Sequence, residues 1–218
     1  MNTHKETAQQ ILRYLFTNAN GDSADAIKKY QGNELPGFGI MYPQLKELAA
    51  KYEPNNDVAI ELITKNTREA RMMAMILAIP ENLSETQLIQ LIEGAVTEEL
   101  KNLLARHIIA QLLHSNNYEY LNTLFTTEIF IKGIVQSFRI HKTLPDFNHC
   151  ILILRNYLKE HTENSIDILN FLEAIYRKYN KERVELKAAI ENFINEFPQQ
   201  KSQLGLWLSN IKELEDLY

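Results

Sequence analysis

Apolar residues recur at helical spacing along almost the whole chain, in segments that come in pairs. From Pro43 onward, Asp57–Thr64 leads to Thr67–Ile79, Ser84–Glu93 to Thr97–His114, and Asn117–Phe125 to Thr127–Lys142. Pro145–Glu160 then leads to Ser165–Tyr179, and Glu182–Phe197 to Ser202–Leu217. The second members of the first four pairs begin near residues 67, 97, 127 and 165, about 30 to 38 apart, within the unit length of stacked helical repeats. No run of four or more residues alternates as a strand does, and the chain holds only 7 glycines and 6 prolines. That scarcity disfavours sandwiches, barrels and glycine-rich phosphate loops. The pattern therefore predicts an all-α fold, a curved superhelical stack of helical hairpins (α-α superhelix). A compact bundle without repeats is the alternative.

The breaks carry their own chemistry. Ser84-Glu85-Thr86-Gln87 fits a capping box, and Pro43, Pro80, Pro145 and Pro198 fall at segment ends. Two short amphipathic segments, Glu6–Phe16 and Ser23–Tyr30, precede a glycine-proline cluster, Gly32 to Pro43, which reads as a loop. We expect one domain over 1–218, with 1–42 an N-terminal helical cap and loop and 43–218 the paired helices. No window approaches the roughly 18 apolar residues that span a bilayer, and the first ten residues have no apolar core of a signal peptide. The single Cys150 has no intramolecular partner for a disulfide. A cytoplasmic, non-membrane protein is the expectation.

With 23 basic against 28 acidic residues, the net charge is −5. A nucleic-acid binder more often carries a basic surplus, although a local basic stripe is enough. The Thr127–Lys142 segment offers one. Phe130, Ile131, Ile134, Val135 and Phe138 form an apolar stripe, while Lys132, Gln136 and Arg139 fall on the opposite side. In Ser165–Tyr179 the face opposite Phe171, Leu172 and Ile175 carries Asn170, Glu173 and Arg177. If both faces line one concave surface, Lys132, Arg139 and Arg177 make a discontinuous basic stripe, to which Lys101 and Arg106 of Thr97–His114 add. A solvated helix face carries the same pattern.

Catalytic constellations are scarce. No Walker, dinucleotide, nucleophile-elbow or HExxH pattern occurs. His107 and His114 lie two turns apart, about 10 Å along a helix, too far for one metal. His141 and His149 straddle a turn with no cysteine or clustered carboxylate. Neither a metal nor a cofactor is expected. Cys150, the Met72, Met73 and Met75 group, and Trp207 all read as core.

One region stands above this background. Pro36 to Tyr52 (PGFGIMYPQLKELAAKY), an Asn-Asp turn, and Thr67 to Ala78 with its Arg-Glu-x-Arg start resemble the DNA alkylation repair protein family, the HEAT-like alkylpurine DNA glycosylases. Weaker similarity continues to about Asn192. The resemblance implies a stack of HEAT-like hairpins that binds duplex DNA and cleaves the glycosidic bond of cationic 3- or 7-alkylpurines without metal or cofactor. Stabilising the developing oxocarbenium sugar would need a nearby carboxylate, aromatic faces and an arginine on phosphate. An ungapped reading places Lys101 and Ala105 where the family has its tryptophan and aspartate. Gly133 falls at the phosphate-binding arginine, and Ala174 at a second tryptophan. Glu98 or Glu99 could supply a carboxylate but suit the helix dipole. The expected function is therefore a divergent DNA-binding repair protein with weak or lost glycosylase activity. The alternative is a non-catalytic scaffold for a protein partner.

Overall fold

The computed structural model describes residues 3–31, 35–114, 127–140, 146–163 and 165–215. Among them every regular element is helical. Asn117–Phe125, the first member of one sequence-read pair, lies outside the described residues, as does His141. Where the sequence suggests one domain, the contacts divide the chain into two compact units, Met1–Ser115 and Asn116–Tyr218.

The first unit contains α1 (Thr3–Thr17), α2 (Gly21–Gln31), α3 (Tyr42–Ala49), α4 (Asn56–Ile63), α5 (Arg68–Leu77), α6 (Glu85–Gly94), α7 (Glu98–Leu104) and α8 (Ala110–His114). The second contains α9 (Glu128–Ile140), α10 (Phe147–Glu160), α11 (Ile166–Lys178), α12 (Arg183–Glu196) and α13 (Lys201–Glu215). Within the first unit α4 packs on α5 and α6 on α7, while α4 also meets α6 and α5 meets α7. Within the second, α10 packs on α11 and α12 on α13, with α10 against α12 and α9 against α11. First helices thus stack on first helices and second on second, which is the packing of HEAT-like hairpins and not of a closed bundle.

Sequence and structure agree closely at helix starts. Asn55 accepts from the amides of Asp57 and Val58. Ser84 and Gln87 form the reciprocal capping box, and Asp146 accepts from the His149 amide. The residues read as core are core. Met72, Met73, Met75 and Cys150 are fully buried, and Trp207 packs edge-on to Tyr176. Thr97–His114 is not a uniform α-helix. Ala105–Ile109 forms a π turn between α7 and α8, a feature invisible to a search for one helical period.

The Gly37–Gly39 turn falls between α2 and α3, as expected, but what holds it comes from α5. Glu69, with none of its surface exposed, accepts from the amides of Phe38 at 2.8 Å and Gly39 at 3.1 Å. Gly39 has φ of 76°, and a β-carbon there would lie 2.1 Å from the Asn20 carbonyl oxygen, so no other residue fits. Arg68 spans the same ground. It donates to the Ile40 carbonyl at 3.2 Å and to Glu69 at 3.0 Å, and grips Glu99 of α7 with two bonds of 2.6 Å. Arg71 ties the Lys65 and Gly94 carbonyls at the ends of α4 and α6.

Replacing Glu69 with alanine orphans two amides and leaves the Arg68 charge short of a partner in a buried site. We expect Glu69→Ala to lose about 3–5 kcal/mol of unfolding free energy. Glu99→Gln, at a side chain still partly solvated, should lose clearly less. Urea unfolding followed by circular dichroism measures both.

Candidate nucleic-acid interface

The second unit places two of the five sequence-selected cations together. A cleft of about 490 Å³ between α9 and α11 is lined by Val135, Phe138, Arg139, Asn170, Glu173, Ala174, Arg177 and Lys178. Arg139 closes the last turn of α9, and Arg177 with Lys178 closes that of α11. Arg139 and Lys178 have no ion-pair partner among the described residues, whereas Arg177 Nε donates to Glu173 at 2.6 Å. Three cations thus face one carboxylate. Cations at helix C-termini also complement the backbone dipole, which explains how the fold tolerates their clustering. The cleft exists because Ala174, half-buried between Glu173 and Arg177, fills so little of it.

Lys132 is not part of this exposed group. Only 8% of its surface is accessible, and Nζ lies 2.8 Å from Glu128 and 3.0 Å from Asp167. The helical wheel placed it opposite the apolar stripe, but α11 supplies Asp167 against that side of α9. Desolvation pushes the Asp167 carboxyl up, opposed by Lys132. Lys132 therefore works as a buried inter-helix tie, not as a solvated lysine. Glu128 and Asp167 were not singled out by the sequence because their closeness depends on packing.

The first unit holds Lys101 and Arg106. Lys101 pairs with Glu98 at 2.9 Å, one turn earlier, and Glu99 is committed to Arg68, so both acidic residues at the start of α7 do more than complement its dipole. Arg106 is exposed in the π turn, with no ion-pair partner among the described residues. Beside it, His107 Nε2 lies 2.7 Å from the Tyr42 hydroxyl of α3. Burial, then the charges of Arg106 and Lys46, lowers the His107 pKa to about 4, so the ring is neutral at physiological pH. His107 is thus tied to α3 by a partner that was not foreseeable from spacing.

No group of three or more histidines, cysteines and carboxylates suited to a metal occurs among the described residues. Ala105 is fully buried and Gly133 is also buried. Cys150, with its thiol pushed by burial to about 12 and 3.8 Å from the Tyr179 hydroxyl, is an inert core group. The geometry therefore offers cationic surface and hydrogen-bond donors, and no carboxylate among the cleft residues beyond the arginine-paired Glu173.

Residues 11–131 match the family model described as DNA alkylation repair enzyme; since this is more than half of the chain, the protein belongs to that family. None of the curated proteins matches. A solved structure described as "A new family of proteins related to the HEAT-like repeat DNA glycosylases with affinity for branched DNA structures" is similar to this chain with a TM-score of 0.58. The two share 17% identity, over 84% of this chain and 81% of the other. At that identity the likeness establishes the HEAT-like fold.

His107 gives a pH signature. The unfolded chain takes up this proton near pH 6.5, whereas the folded protein resists it until about pH 4. Stability from the neutral ring is thus complete above 6.5 and is lost as pH falls through 4, by roughly 3 kcal/mol in all. Comparing urea unfolding from pH 7 down to 4.5, we expect His107→Gln to lose less stability over this window than wild type. Parallel pH dependences would refute the assignment.

Proposed function

We propose that this member of the DNA alkylation repair enzyme family binds DNA through its phosphate backbone, with Arg139, Arg177 and Lys178 at the α9–α11 cleft as the main ligands. The observation that carries the reading is the clustering of these three cations against one carboxylate on two neighbouring helices. Guanidinium groups present paired N–H donors that match phosphate oxygens, and they remain charged at any relevant pH. Glu173 holds Arg177 in place and also competes with phosphate for it. Arg106 and Lys101 act as weaker contacts, Lys101 being shared with Glu98. Lys132 contributes through the α9–α11 packing that positions Arg139. The affinity for branched DNA stated for the similar structure makes a four-way junction a natural second ligand beside linear duplex.

Base excision is the finer question. The reaction requires charge stabilisation beside the sugar and a surface for the cationic base. On the ungapped reading, Lys101, Ala105, Gly133 and Ala174 fall where the family has its cleft residues, which would leave a carboxylate, an arginine and two aromatic faces missing together. A deficit of several kcal/mol means orders of magnitude in rate. We therefore propose DNA binding without efficient glycosylase chemistry.

In anisotropy titrations with duplex and junction DNA, Arg139→Gln with Arg177→Gln should weaken binding across sequences. It should also reduce the slope of log K against log salt by about 2, near one unit per lost phosphate contact. Glu173→Gln should strengthen binding. A double variant that keeps the wild-type slope would remove the cleft from the reading. Separately, single-turnover incubation with methylated duplex, with free bases quantified by chromatography, should release 3-methyladenine and 7-methylguanine no faster than spontaneous depurination. Release well above that rate would refute the loss of chemistry.

A further inference from the structure

Tyr42 and Lys46 lie four residues apart on α3 and so project from one face of it. The Tyr42 hydroxyl reaches across to His107 in the Ala105–Ile109 turn, 2.7 Å from Nε2, with the two rings edge to face at 6.2 Å. Arg106 precedes His107 in that turn and is exposed, as is Lys46. Neither Lys46 nor Arg106 has an ion-pair partner among the described residues. The charges that act on His107 are these two cations, with no carboxylate among them. This is an uncompensated pair of positive charges around a neutral ring.

The Tyr42–His107 pair has a further property. A neutral imidazole and a phenol together carry two donor hydrogens, and their mutual bond uses one. If the tyrosine donates to Nε2, the Nδ1–H is left; if Nε2–H donates to the tyrosine, the phenolic O–H is left. No other bond from either side chain occurs among the described residues. Whichever tautomer is present, one donor remains beside two cations. The π turn matters because the extra residue in its ring breaks the α-helical register in which Arg106 and His107 would otherwise sit. Such turns recur at functional sites.

We infer that α3 and the π turn form a second phosphodiester-binding point, in which Lys46 and Arg106 supply charge and the Tyr42–His107 pair supplies one neutral hydrogen-bond donor. It rests on the DNA-binding reading above and adds to it a site in the first unit. Neutrality of the donor is part of the design. A second phosphate oxygen is satisfied without another counter-ion being released, so affinity and salt dependence separate.

Salt-titrated anisotropy with the same duplex tests this, on wild type, Lys46→Gln/Arg106→Gln, Tyr42→Phe and His107→Phe, with Arg139→Gln/Arg177→Gln in parallel. The lysine–arginine double variant should lower the salt slope by about 2. At least one of Tyr42→Phe and His107→Phe, the one that removes the free donor, should weaken binding about threefold to tenfold, the worth of one hydrogen bond, with the slope unchanged. Thermal melts confirm that both variants fold, and wild-type affinity in both removes the neutral donor from the proposal. A wild-type slope in Lys46→Gln/Arg106→Gln, while Arg139→Gln/Arg177→Gln lowers it, overturns this point and leaves the DNA reading standing. Wild-type slopes in both double variants, or no binding by wild type, overturn both.

Discussion

A fully buried carboxylate, Glu69, organises the first unit. Two amides of the Phe38-Gly39 turn point at its oxygens, and Arg68 lies against one of them. An ionised group out of water is tolerated only when its lone pairs are filled, and here the donors are the two loop amides and Arg68, whose other N–H groups are taken by Glu99 of α7. The loop cannot take another course without stranding the charge. The course it takes brings the Phe38 carbonyl to the Asn20 amide and the Pro36 carbonyl to the Arg68 amide. The stretch Pro36–Ile40 is thereby tied to the start of α5 and to Asn20 ahead of α2, and α3 follows with Tyr42 in place to meet His107.

This recasts the Arg-Glu-x-Arg start of α5. Charged residues at regular spacing near a glycine turn invite a functional reading, since phosphate sites are often built so. Arg68, Glu69 and Arg71 are instead spent on carbonyls, amides and one another. The motif that carries most of the resemblance to DNA alkylation repair proteins is therefore a folding element. It is specific because the geometry of Gly39 and the buried carboxylate demand each other. It identifies the architecture and is silent about the reaction, as a shared fold generally is.

Helical class, hairpin rhythm and most helix starts were legible because each depends on neighbours in sequence, such as apolar spacing and the Ser84–Gln87 capping box. The site was legible in part. Arg139 and Arg177 could be paired by matching the faces of two successive second helices, and both line the α9–α11 cleft. Lys132 illustrates the limit of the same reasoning. A helical wheel divides apolar from polar, but it does not say whether the polar side meets water or Asp167. His107 and the π turn were out of reach for a related reason. A π turn changes the period locally, and the Tyr42 contact links residues 65 positions apart.

The acidic balance of the chain, finally, says less about nucleic acid than it seems to. Net charge counts every ionised group, whereas the field at a surface depends on those left without a close partner. Arg68 and Lys132 are buried against carboxylates, and Arg155 and Lys187 are paired with Glu196 and Glu215. These pairs cancel locally and set the packing. Arg106 with Lys46 in one unit, and Arg139 with Lys178 in the other, escape that cancellation. With a screening length near 8 Å at physiological salt, a phosphate at either place responds to the few charges beside it and hardly at all to the surplus carboxylates elsewhere. An acidic net charge is thus compatible with a local positive field wherever cations such as these lack a close partner.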